Sequence, residues 1–112
     1  MRVLVCGGRK FSDSALLKNT LDRLGITELA EGDAPGADRM AGKWAEFSGI
    51  QLRKFPANWK KFRNAAGPIR NREMFNEFKP ELVVAFPGGN GTADMISIAR
   101  KNGCKVLIVE SH

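Results

Sequence analysis

The sequence predicts an α/β domain: one five-stranded, mostly parallel, doubly wound sheet with helices on both faces. Three observations predict it. Short β-branched apolar runs alternate with helix-length segments of 3.6-residue periodicity, and the connections between them are short. Glycine-rich turns follow the first, second and fourth apolar runs.

The first strand is Arg2 to Cys6, whose continuous run Val3-Leu4-Val5 suits a strand covered on both faces. Ser12 or Asp13 caps the following helix, which carries Leu17, Leu21 and Leu24 on one face and ends at Gly25. Ile26 to Glu31 forms the second strand. A helix over 36–48 aligns Ala37, Ala41, Trp44, Ala45 and Ser48, with Trp44 expected in the core, and Gly49 closes it. Gln51 to Phe55 is a weaker third strand that belongs at a sheet edge. Residues 56–68 read as irregular and basic. Gly67-Pro68 then introduces a helix with Met74, Phe75 and Phe78 inward, stopped by Pro80. Leu82 to Phe86, Thr92 to Asn102 and Lys105 to Val109 supply the fourth strand, the fourth helix and the fifth strand.

Right-handed crossovers make this a doubly wound sheet; with the strand order 3-2-1-4-5, its switch point lies between the first and fourth strands. A ligand crevice is expected outside their carboxyl ends. The turns on that side are Gly7-Gly8-Arg9, Gly32-Asp33-Ala34-Pro35-Gly36 and Pro87-Gly88-Gly89-Asn90-Gly91-Thr92.

Composition narrows the chemistry. A chain of 112 residues is expected to form a single domain over 1–112, with 43% apolar and 27% charged residues. No apolar run approaches the ~20 residues of a bilayer span, and the N-terminus lacks a signal-peptide core, so a cytoplasmic location is expected, without membrane contact. Cys6 and Cys104 lack CxxC spacing and read as reduced cysteines. The only histidine is His112, which argues against histidine acid/base chemistry and His-based zinc sites; no metal or cofactor is expected. The net charge of +6 favours anionic partners without choosing between a nucleotide and a nucleic acid.

Glycines let backbone N–H groups face a ligand, and a turn entering a helix attracts anions. The spacing matches neither a Walker A motif nor GxGxxG. Gly88 to Thr92 read either as a phosphate-binding loop or as a tight turn capped by Thr92. Arg9, Arg70 and Arg72 offer guanidinium forks to phosphate. Asp38 reads as a ribose-hydroxyl acceptor or as a cap-region acid, and Asp94 as a ligand contact or a dipole-stabilising acid. Trp59, in Trp59-Lys60-Lys61-Phe62-Arg63, either stacks on a base or packs beneath the loop.

Four motifs occur in order: Cys6-Gly7-Gly8-Arg9, Gly32-Asp33-Ala34-Pro35-Gly36-Ala37-Asp38, Ala66-Gly67-Pro68-Ile69-Arg70-Asn71-Arg72-Glu73-Met74, and Pro87 to Thr92. Together they resemble the YspA-like, cpYpsA-related branch of the SLOG superfamily, over nearly the whole chain. The superfamily is similar in fold to Lonely Guy phosphoribohydrolases and Smf/DprA single-strand DNA-binding proteins. The resemblance implies a Rossmann-like sheet and a nucleotide-derived ligand. It places Gly7, Gly8, Arg9, Gly32, Asp33, Gly36, Asp38, Arg70, Asn71, Gly88, Gly89, Asn90, Gly91 and Thr92 at the binding site.

The Lonely Guy motif Pro-Gly-Gly-x-Gly-Thr-x-x-Glu matches through Thr92, but its glutamate is replaced by Met95, with Asp94 one place earlier. Arg70 corresponds to that family's helix arginine. The foremost expectation is therefore a binding module or sensor for a phosphate-bearing nucleotide derivative. The alternatives are an N-glycosidic hydrolase using Asp94 and Arg70, and a single-stranded DNA binder of Smf/DprA type. Relationship to a dimeric enzyme class leaves pairing of two copies open.

Overall fold

The apolar run Val3-Leu4-Val5 is completely buried, because its strand, β1 (Arg2–Cys6), is the middle of the sheet. A computed structural model describes residues 1–110 of the chain. Along the chain come β1, α1 (Ser14–Asp22), β2 (Glu28–Glu31), α2 (Ala37–Phe47), β3 (Gln51–Lys54) and a short α3 (Trp59–Phe62). A 3₁₀ turn (Arg63–Ala65) leads into α4 (Ala66–Phe78), followed by β4 (Leu82–Ala85), α5 (Asn90–Lys101) and β5 (Lys105–Ile108). The strand order is β3-β2-β1-β4-β5, with every pairing parallel.

Alternation along the strands sends successive side chains to opposite faces. Val3, Val5, Leu29 and Val84 pack with Leu17 and Leu21 of α1 and with Ala37, Ala41 and Ala45 of α2. Leu4, Cys6, Ala30, Val83 and Ala85 pack with Met74, Phe75 and Phe78 of α4 and with Met95 and Ala99 of α5. The alanine stripe of α2 lets that helix lie close to the sheet. Register places Val3 beside Leu29 and Leu82, and Leu4 beside Ala30 and Val83, so β1 is flanked by apolar neighbours on both sides.

Local signals account for the element ends. The Asp13 side chain accepts from Leu16 N–H (3.0 Å) and caps α1. Lys79, in the left-handed region at φ 52°, terminates α4 one residue before Pro80.

The basic stretch expected to be irregular instead contains α3 and the 3₁₀ turn, and α4 begins two residues before Pro68. Asn58 caps α3 by accepting from Lys61 N–H (3.1 Å). A four-residue helix with no buried residue leaves no hydrophobic period to detect. Pro68 lies within the first turn of α4, where its missing N–H costs nothing. Trp44, expected in the core, is half-buried at the rim of the α1–α2 cluster, its indole N–H donating to Asp22 (2.9 Å). No helix of the described residues is long and apolar enough to cross a membrane.

Candidate functional site

At the carboxyl ends of β1 and β4 the chain runs into two turns that touch. Gly8 N–H donates to Pro87 O (2.9 Å), and a Cβ on Gly8 would stand 2.8 Å from that oxygen. A Cβ on Gly88 would overlap the Thr92 hydroxyl and come within 2.7 Å of Gly8 N. The turn after β2 joins them. Gly36, at φ 84°, lies against the carbonyls of Gly8 and Arg9, and Ala37 N–H donates to Gly8 O (3.2 Å). Gly8, Gly36 and Gly88 are thus needed for close backbone approach between turns. The Gly8 amide is consumed within the protein.

Gly89 and Gly91 differ. A Cβ on either would meet nothing within 4 Å, and neither has a positive φ. Packing does not require glycine there, and Gly91 inside a helix costs up to ~1 kcal/mol against alanine. They begin α5, which no side chain caps. The N–H groups of residues 90–92 precede the first intrahelical bond, made by Ala93 N–H to Gly89 O (3.0 Å). Open amides and the positive end of the helix dipole therefore sit at the edge of one opening.

That opening is a cleft of about 680 Å³. Gly7, Gly8, Arg9, Asp38, Arg70, Asn71, Gly88, Gly89, Asn90, Gly91, Thr92 and Asp94 all line it. Gly32, Asp33 and Gly36 do not. Gly32 instead meets Arg70: its carbonyl accepts from Nη1 (2.5 Å), and its N–H donates to Asp38 (3.2 Å). Asp33, at φ 57°, directs its carboxylate to Arg39 Nε (3.5 Å), while its N–H donates to Glu31. Lys10 and Asn64 also line the cleft. Nothing in the spacing marks Asn64, which arrives there through the 3₁₀ turn after α3.

A polar chain crosses the cleft floor. Arg70 Nη1 also donates to Phe55 O (3.3 Å), tying together the ends of β2 and β3, and Nε donates to Asn71 Oδ1 (3.1 Å). Asn71 Nδ2 donates to Gly91 O (3.1 Å) and to Asp94 Oδ2 (3.0 Å). Asn71 is buried and acts as a strut between α4 and α5, its amide hydrogens already engaged. Among the described hydrogen bonds Arg70 Nη2 has no acceptor. Met95 is fully buried in the core beside Met74, whereas Asp94 borders the cleft. The roughly 100° turn between adjacent helix positions separates them.

Asp38 is buried, and burial pushes its carboxyl up to about 6 against the opposing pull of Arg70 and the Ala34 and Gly32 N–H groups. Burial likewise lowers the Arg70 guanidinium, with Asp38 restraining the change. Cys6, at the cleft floor, is raised by burial and by Asp38 and is a poor nucleophile.

The family model for YspA, cpYpsA-related SLOG proteins matches residues 1–62, more than half of the chain. The chain belongs to that family. The matched part of this SLOG domain carries Gly7 to Arg9 and Gly32 to Asp38 and stops before Arg70 and the α5 turn. No curated protein sequence matches the domain. Among solved structures it resembles DNA processing protein A (DprA) from Streptococcus pneumoniae, with TM-score 0.82 and 16% identity over 99% of this chain and 50% of that one. It also resembles UDP-GlcNAc 2-epimerase from Neisseria meningitidis, whose structure holds UDP-GlcNAc, with TM-score 0.54 and 15% identity over 99% of this chain and 32% of that one. The SLOG domain thus spans half of the first protein and about a third of the second. At these identities the likeness is one of fold.

Proposed function

We propose that this SLOG domain binds a phosphate-bearing nucleotide or nucleotide-derived small molecule at the carboxyl ends of β1 and β4. One observation carries the reading: Gly89 and Gly91 face open space at an uncapped helix N-terminus inside a cleft that also holds Arg9 and Arg70. Anion attraction by a helix end contributes ~0.3–1 kcal/mol, or ~2 when partly buried. Charge-assisted hydrogen bonds contribute ~1.5–3 kcal/mol each. Millimolar affinity requires about 4 kcal/mol, so two amide bonds and one guanidinium suffice. Isothermal titration with a panel of nucleotides, ribose 5-phosphate and inorganic phosphate tests the reading. Binding at micromolar to millimolar concentration is expected; no heat with any of them at millimolar ligand overturns it.

A second reading follows from the placement of Asp94. Hydrolysis of an N-glycosidic bond breaks C1′–N, forms C1′–O from water and releases the base with a proton; positive charge develops on the sugar meanwhile. A carboxylate beside it stabilises that charge. Asp94 borders the cleft and is oriented by Asn71, where buried Met95 cannot serve. Chromatography of nucleoside monophosphates after incubation should then show free base, and Asp94→Asn should abolish its release. Equal release by the variant refutes the mechanism.

A further inference from the structure

The chain has two tryptophans, and they are held differently. Trp44 is tied by its indole N–H to Asp22 on the α1–α2 side of the sheet. Trp59 stands at the cleft on α3, a helix with no buried residue, and is 45% exposed. Its ring is nevertheless positioned. A Cβ on Gly67 would lie 3.5 Å from Trp59 Cη2, so the ring edge lies beside the opening turn of α4. The Arg9 guanidinium lies 5.2 Å from the ring centroid, in cation–π range. Arg9 makes no hydrogen bond or ion pair among the described residues, so this stack is its one described attachment.

An aromatic ring bordered at one edge and left open at a cleft mouth contributes little to the core. It suits recognition of a flat π system. We propose that Trp59 is the stacking platform for the base of the bound nucleotide. This rests on the nucleotide reading above and specifies its second end. The Arg9 guanidinium lies over the ring face that a base would cover. Phosphate arriving at the first turn of α5 draws Arg9 away, because charge-assisted bonds to phosphate exceed an exposed cation–π contact. The ring face then passes to the base. Arg9 thus exchanges one partner for the other as the ligand seats.

The test compares AMP, UMP and ribose 5-phosphate by titration calorimetry and by tryptophan fluorescence, on wild type, Trp59→Ala and Trp59→Phe. AMP should bind about five- to 150-fold tighter than ribose 5-phosphate, the range that base–aromatic stacking supplies. Its binding should quench wild-type emission and leave Trp59→Phe emission, which comes from Trp44, unchanged. Trp59→Ala should reduce AMP affinity to that of ribose 5-phosphate on the same variant, with an unchanged circular dichroism spectrum and urea midpoint as proof of an intact fold. Trp59→Phe should keep AMP within about threefold of wild type, since it retains an aromatic face. Equal affinity of AMP and ribose 5-phosphate in wild type, or undiminished AMP affinity in Trp59→Ala, overturns the platform and leaves the phosphate site standing. Failure of all three ligands to bind wild type overturns both.

Discussion

Glu31, the last residue of β2, is completely buried, and replacing it with glutamine should change how stability depends on pH. One carboxylate oxygen accepts from Asp33 N–H, while Oε2 has no partner among the described residues and faces Gly42 of α2. Burial pushes this carboxyl from 4.5 to about 7, with Asp38 and Asp33 adding to the rise while the Asp33 N–H and Lys54 oppose it. The native state therefore holds a proton that the unfolded chain has released between those values. Where the native state binds more protons, stability falls as pH rises. The contribution is complete below about 4.5 and lost as pH passes about 7. At roughly 1.4 kcal/mol for each tenfold in proton affinity, the change amounts to about 3 kcal/mol. That is a sizeable part of the ~5–15 kcal/mol that holds a domain together, and roughly 13 °C in melting temperature. Asp38, raised from 3.8 to about 6, works in the same direction, so wild-type stability alone does not isolate Glu31.

Urea unfolding of wild type and Glu31→Gln across pH 4.5 to 8 separates the two. Glutamine keeps an oxygen for Asp33 N–H and cannot titrate, while Asp38 stays common to both proteins. The stability of the variant relative to wild type should rise by about 3 kcal/mol from the acidic to the alkaline end of that range. Its absolute value at any one pH also reflects how the new NH₂ fits against Gly42, so the slope is the readout. A difference that stays flat across the range refutes the account of Glu31 as a buried, proton-holding acid.

The glycines of the α5 turn should divide into two kinds. Gly88→Ala should cost roughly 1–3 kcal/mol in urea unfolding, because its methyl overlaps Thr92. Gly91→Ala should raise stability by up to ~1 kcal/mol while weakening phosphate binding measured by titration. Asn71→Ala should destabilise by about 1–3 kcal/mol, because the Gly91 carbonyl and Asp94 both lose their amide partner. The affinity of a mononucleotide should fall less than about tenfold between 50 and 200 mM salt, since one phosphate releases few counterions. A much steeper decline, seen with tighter binding of a single-stranded oligonucleotide, would favour the nucleic-acid reading instead.

The alternation of apolar runs and amphipathic segments was enough to specify a parallel, doubly wound sheet and the side on which the glycine turns emerge. Those features follow from local periodicity and from the handedness of crossovers, and both are written into neighbouring residues. The order β3-β2-β1-β4-β5, by contrast, is one of several that such a series can take and is fixed by the folded chain. The same glycine pattern did not reveal which glycine serves the fold and which faces open space. Gly36 and Gly88 are required by backbones from other turns, and Gly89 by none, a distinction that exists only once β1, β2 and β4 lie side by side. Asp94 and Met95 are adjacent letters, yet the rotation of α5 against the sheet sends one to the cleft and the other to the core. Asn71 is polar and buried because α5 supplies it with partners twenty and more residues away. Sequence alone determined the fold class, since strand and helix periods are short-range properties. Tertiary structure alone decided the division of labour in the cleft, because a hydrogen bond or a close approach depends on residues that meet only when the chain has folded.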